Sequence, residues 1–173
     1  MAEFNNIGLV GRHGHAGVVD TLRRLLDFLS GKDLTVFVDD LTAELVSGHG
    51  QNQCKRAELS KFCDLVIVVG GDGSMLNVAK FVASDQVPVI GINRGRLGFL
   101  TDILPGELEE GITAVLDGSY SVDSRFLLDV VVRPNSSKNS EDHHLGSALN
   151  DVVLHGVGRS LTLESNRDLT GNF

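Results

Sequence analysis

Apolar residues in this chain fall into short unbroken runs that alternate with stretches of helical spacing. Residues 7–10 form an apolar run bounded by Asn6 and Gly11 and predict a buried strand. Val18, Leu22, Leu25, Leu26 and Leu29 recur every three or four positions and predict a helix over 18–29, stopped by Ser30 and Gly31. Residues 34–38, β-branched and aromatic, predict a second strand. A weaker helix follows over 41–46, Gly48 and Gly50 break the chain, and another helix is expected over 55–62. Residues 65–69 are five apolar positions without alternation, the pattern of a strand buried on both faces. Beyond Gly70 the stripe Met75, Leu76, Ala79, Phe81 and Val82 predicts a helix, and residues 87–92 predict a fourth strand. Such alternation reads as βαβ units in a parallel, Rossmann-like sheet covered by helices, an α/β fold.

The character changes past Pro105. A last helix is expected over 107–116, then strands over 120–133 and 145–154, joined by a polar hairpin loop over 135–144. Residues 164–173 are polar and show no period. The expected division is an α/β nucleotide-binding domain over 1–104 and the start of a β-rich domain over 105–173 that is cut short.

Fifteen Lys and Arg against 23 Asp and Glu leave a net charge of −8 in 173 residues. This argues against a nucleic-acid partner and against a polybasic membrane contact, since both rely on clustered cations. Anionic small molecules stay open, because glycine loops and helix ends hold them within acidic proteins. Cys54 and Cys63 have neither CxxC nor metal spacing and are expected as free packed thiols in a reducing cytosol. No secretory leader pattern opens the chain, and the run at 65–69 is too short to span a bilayer. A cytoplasmic location is expected.

The sharpest chemical feature is Gly70-Gly71-Asp72-Gly73-Ser74, placed between the buried strand and a helix. Ligands of open α/β sheets bind outside the carboxyl ends of strands. Glycines let backbone approach phosphate oxygens, the next helix offers free N–H groups, and Ser74 is a candidate cap for it. A carboxylate in a phosphate loop repels its ligand unless it has a task. Asp72 either holds Mg²⁺ beside phosphates or accepts a proton from a hydroxyl attacking a phosphoryl group. A plain Gly/Asp turn is the bland alternative. The loop at 11–17, with His13 and His15, lacks GxGxxG, although Asp39 and Asp40 end the next strand where a ribose-binding acid would stand. Its histidines are either metal ligands or solvated loop residues, and the lack of a third Asp, Glu or Cys at a supporting spacing favours the second. Arg94 and Arg96, after the fourth strand, are either phosphate contacts or solvated loop residues. Asn150-Asp151 reads, by itself, as a strand start.

Three segments together resemble the bacterial NAD kinases: Val68-Val69-Gly70-Gly71-Asp72-Gly73-Ser74-Met75-Leu76, Ile92-Asn93-Arg94-Gly95-Arg96-Leu97-Gly98-Phe99-Leu100-Thr101-Asp102, and Asn150-Asp151-Val152-Val153-Leu154-His155. GGDG alone is shared with lipid kinases and phosphofructokinases; the three in order are specific. The resemblance implies phosphorylation of the adenosine 2′-hydroxyl of NAD to NADP, with ATP or polyphosphate as donor and a divalent metal, expected to be Mg²⁺. It implies Asp72 as proton acceptor, Gly73 beside the nucleotide, Asn150 and Asp151 on the NAD substrate, and Phe99 near the adenine; Gly71 and Arg94 are candidate binding residues beside them. It also implies homo-oligomers in the full-length family.

The family continues through a DGLI segment and a TGSTAY-type loop, which this chain lacks, and from Gly156 a departure from the family pattern is expected. The remaining strands would then expose apolar edges. A truncated product, a fragment and a divergent short form all fit. Two other readings stand beside the kinase: an inactive nucleotide-binding remnant or interaction module, and a lipid kinase of the wider GGDG group.

Overall fold

The computed structural model describes residues 4–48, 50–95, 98–132, 143–149 and 152–153. The chain divides into two compact units, Met1–Val122 and Asp123–Phe173.

The first unit is a five-stranded parallel sheet in the order β3-β2-β1-β4-β5, formed by β1 (Asn6–Gly11), β2 (Thr35–Asp39), β3 (Asn52–Cys54), β4 (Leu65–Gly70) and β5 (Val89–Asn93). The helices are α1 (Val18–Ser30), α2 (Asp40–Leu45), α3 (Leu59–Phe62), α4 (Asp72–Val82) and α5 (Leu108–Leu116). Period two along each strand divides the apolar residues between two layers. Ile7, Leu9, Leu65, Ile67 and Val69 bury against α1 and α5, while Val10, Val66 and Val68 bury against α3 and α4. This is why residues 65–69 carry no polar position.

Several boundaries differ from the sequence pattern. β3 escapes it, because it is a three-residue edge strand whose Asn52 and Gln53 are exposed. The helix expected over 55–62 is a 3₁₀ turn at Arg56–Glu58 followed by one turn of α3. On α4 the buried pair is Val78 and Val82, one turn apart, and Phe81 faces outward. α5 sits in the first unit's core through Leu108 and Ile112. Tyr120 packs its ring on Phe4, 5.8 Å between centroids, instead of opening a strand.

The second unit contains an antiparallel pair, β6 (Leu128–Val132) and β7 (His143–Ala148), with Leu128 opposite Ala148 and a bulge between Val130 and Val131. β7 begins at His143, inside the stretch expected as loop. Val131, Val132 and Leu145 are exposed.

Candidate active site

From β1 the chain moves outward to β2 on one side, while β4 and β5 lie on the other. The carboxyl ends of β1 and β4 therefore flank the reversal point of the sheet, where open α/β folds place their ligands. The Arg12 N–H donates to the Val69 carbonyl at 2.9 Å and joins the two strand ends. A cleft of about 640 Å³ opens here, lined by Arg12, His13, Glu44, Arg56, Gly73 and Ser74 among others.

The GGDG loop turns directly into α4. Gly71 is the cap residue in extended conformation, and its carbonyl accepts from the Ser74 N–H at 2.8 Å and the Met75 N–H at 3.2 Å. No side chain caps this helix end, so the expected capping by Ser74 is not what occurs. Ser74 lies within the helix, and its hydroxyl packs so tightly on Gly70 that residue 70 has no room for a side chain. Gly71 and Gly73 are different. A Cβ at either would meet no protein atom, and neither has positive φ. Nothing within the described residues requires glycine at these two positions.

Asp72, the first residue of α4, turns toward the loop after β5. Its Oδ2 accepts the Phe99 N–H at 2.8 Å and its Oδ1 the Leu100 N–H at 3.1 Å. Gly98 lies against the carboxylate and leaves no space for a Cβ. The Phe99 ring is 92% exposed. The loop closes behind it, where the Asn93 N–H donates to the Ile103 carbonyl at 2.8 Å. The motif thus has two sides: Gly73 and Ser74 face the cleft beside β1, and Asp72 is held by the loop after β5.

Arg94 is tied to the start of α1. Its Nε donates to Thr21 Oγ1 at 2.5 Å, its guanidinium packs on Gly17, which has φ +78°, and its backbone N–H donates to the Gly70 carbonyl at 2.6 Å. Arg56, which the sequence pattern did not single out, pairs with the fully buried Asp39 at 2.6 Å and donates to Asn77 Oδ1 at 3.1 Å. Asp39 also caps α2 by accepting the Thr42 N–H at 3.1 Å, and Thr42 Oγ1 accepts the Gly11 N–H at 2.7 Å. The two carboxylate oxygens of Asp39 are thereby used within the fold. His13 Nε2 lies 2.6 Å from the Leu41 carbonyl, and His15 Nδ1 lies 3.1 Å from its neighbour's carbonyl. Among the described residues no three His, Cys, Asp or Glu side chains gather in a metal-holding cluster. Asn150, Asp151 and Arg96 lie outside the described residues.

Residues 7–120 match the family described as ATP-NAD kinase N-terminal domain. The NAD kinases of Pseudomonas paraeruginosa and Azotobacter vinelandii are each 50% identical over all 173 residues, which cover 57% of each relative. The alignments run on past Gly156, so the departure expected from there does not occur. The chain thus spans a little over half the length of these curated relatives. The crystal structure of yeast NADH kinase complexed with NADH has the same fold, with a TM-score of 0.69 at 20% identity, covering 81% of this chain and 46% of that one. With its family match covering the five-stranded unit and the GGDG loop at its reversal point, this chain belongs to the NAD kinase family.

Proposed function

We propose that this chain carries the phosphoryl-transfer half of an NAD kinase site and moves the γ-phosphoryl group of ATP, or the end of a polyphosphate, to the adenosine 2′-hydroxyl of NAD. The observation that carries the reading is the bare helix end. Gly73 in the first turn of α4 costs about 1 kcal/mol relative to alanine, and neither packing nor φ demands it or Gly71. Glycines facing open space beside an uncapped, positively polarised helix end suit close approach by phosphate oxygens.

Asp72 is the proton acceptor in this reading. The 2′-hydroxyl gives its proton to the carboxylate, its oxygen forms the new bond to phosphorus, and the bond from that phosphorus to the bridging oxygen breaks with ADP leaving. The two loop N–H groups fix the carboxylate so that a lone pair stays aimed at the hydroxyl. Phe99, exposed on the same loop, offers a stacking face for the adenine. Asn150 and Asp151 are assigned to the NAD substrate by their motif. A divalent cation, Mg²⁺ by preference, would enter with the phosphates and be held chiefly by their oxygens; it supplies charge neutralisation there. A nucleotide-binding part followed by a β-rich part, cytoplasmic location and homo-oligomeric assembly belong to the same proposal. No helix among the described residues is long and apolar enough to cross a membrane.

The test is NADP formation from NAD, ATP and Mg²⁺ by the 173-residue chain, with Asp72→Ala in parallel. NADP from the wild type and none from the variant supports the proposal. NAD binding without turnover, unchanged by Asp72→Asn, would instead mark a nucleotide-binding remnant. Phosphorylation of a lipid but not NAD would mark the wider GGDG kinase group.

A further inference from the structure

The cleft beside β1 needs a cation if it is to hold a chain of phosphates, because Glu44 lines it and the net charge of the chain is negative. Three described arginines stand at the carboxyl edge of the sheet: Arg12, Arg56 and Arg94. Arg56 is neutralised by buried Asp39. Arg94 is spent on Thr21 and Gly17 at the start of α1. The Arg12 guanidinium has no hydrogen-bond or ion-pair partner among the described residues. Its backbone is nevertheless fixed, through the N–H bond to Val69 at 2.9 Å. Its own Cβ lies 3.3 Å from the point where a Cβ on Gly70 would stand, so it borders the GGDG loop directly. It lines the cleft together with Gly73 and Ser74.

We infer that Arg12 is a phosphate-binding residue of the donor side: it receives the phosphate chain of the nucleoside triphosphate or polyphosphate in the cleft between the ends of β1 and β4. The inference rests on the kinase reading for its biological donor, but its core is a specific anion site. A planar guanidinium with five donors suits neighbouring phosphate oxygens better than a point charge does. Placed across the motif from Asp72, Arg12 would separate the site into a donor half against β1 and an acceptor half against the loop after β5.

The test uses the full 173-residue chain and inorganic tripolyphosphate as probe, followed calorimetrically, with ATP in a second arm. Wild type, Arg12→Ala, Arg12→Lys and the exposed α1 control Arg23→Ala are compared, each checked for an unchanged thermal melt. Arg12→Ala is expected to weaken tripolyphosphate binding roughly ten- to hundredfold, the range for hydrogen bonds to charged groups. Arg12→Lys should restore part of it, and Arg23→Ala should stay within about twofold. The same losses in the ATP arm assign the phosphate chain as the shared ligand; loss with tripolyphosphate alone assigns a polyphosphate donor. Equal tripolyphosphate affinity for wild type and Arg12→Ala, or no binding by the wild type, overturns the inference. Arg12-dependent binding in a chain that forms no NADP would leave it standing while removing the kinase reading.

Discussion

Gly98 and Asp72 share one space: a Cβ on residue 98 would fall on the Asp72 carboxylate, so any side chain there must displace it. The sequence pattern offers a loop glycine and, separately, an acid in a phosphate loop; the fold makes each a condition of the other. Gly98→Ala is expected to push the carboxylate off the Phe99 and Leu100 N–H groups. Under the proposed function, the turnover number for NADP formation should fall at least about tenfold while the KM for ATP changes little, with a loss of about 1 kcal/mol of stability for largely solvent-facing bonds. Asp72→Asn should reduce turnover by about 10²–10⁴. Kinetics alongside a urea melt separate the two effects, and a Gly98→Ala protein with full turnover would break the link.

Arg56 answers a buried charge. Asp39 is fully buried, and the Arg56 side chain beside it is 18% exposed. Removing one partner of such a pair strands the other, at about 3–5 kcal/mol. Arg56→Met is expected to cost about 3 kcal/mol in urea unfolding, allowing for its partial exposure. Adding Asp39→Asn should recover part of that, so the double variant loses less than the two singles together. Strict additivity would contradict the pairing.

Glu109 on α5 is gripped by Arg24 of α1, which also donates to the Pro105 carbonyl at 2.8 Å. The Arg24 hydrogen bond holds the Glu109 carboxyl below its ordinary value of 4.5. A carboxyl lowered in the folded state contributes stability above its unfolded pKa and loses that contribution as pH falls through the folded one. The difference in urea midpoint between wild type and Glu109→Gln should thus be present at pH 7 and shrink below the ordinary carboxylate range. It should also shrink in 1 M salt, because both side chains are exposed.

The two thiols are set to be inert. Burial, reinforced by nearby Cys54, pushes the Cys63 thiol up to about 12, and burial with Asp39 pushes Cys54 up to about 11. Since the thiolate is the nucleophile, native-state labelling by a disulfide reagent at pH 8 should run at least about a hundredfold slower than in urea. Both cysteines should label once the chain unfolds.

The strands β1 and β4 were legible because burial on both faces leaves unbroken apolar runs, and β2 and β5 because their half-buried positions are still filled by β-branched or aromatic residues. β3 was not, because an edge strand of Asn52, Gln53 and Cys54 has little to bury. The GGDG loop announced itself through residue type and position. Arg56 did not: its importance depends on Asp39, seventeen residues away in sequence, being buried with no other cation beside it among the described residues. Arg12 stood in view after the first strand, but only the diversion of Arg94 to Thr21 distinguishes it. Asn150 and Asp151 were legible as a motif alone.

The order β3-β2-β1-β4-β5 also has a kinetic corollary. The central pairing sets Ile7 opposite Leu65, so forming it closes a loop that contains all of α1, β2, α2, β3 and α3. Refolding of the first unit should accordingly wait on that long closure, whereas β6 and β7 need only a hairpin. A valine truncated at β4, such as Val68→Ala, is then expected to slow refolding as well as hasten unfolding. The equivalent change at Val130 should leave the slow phase untouched.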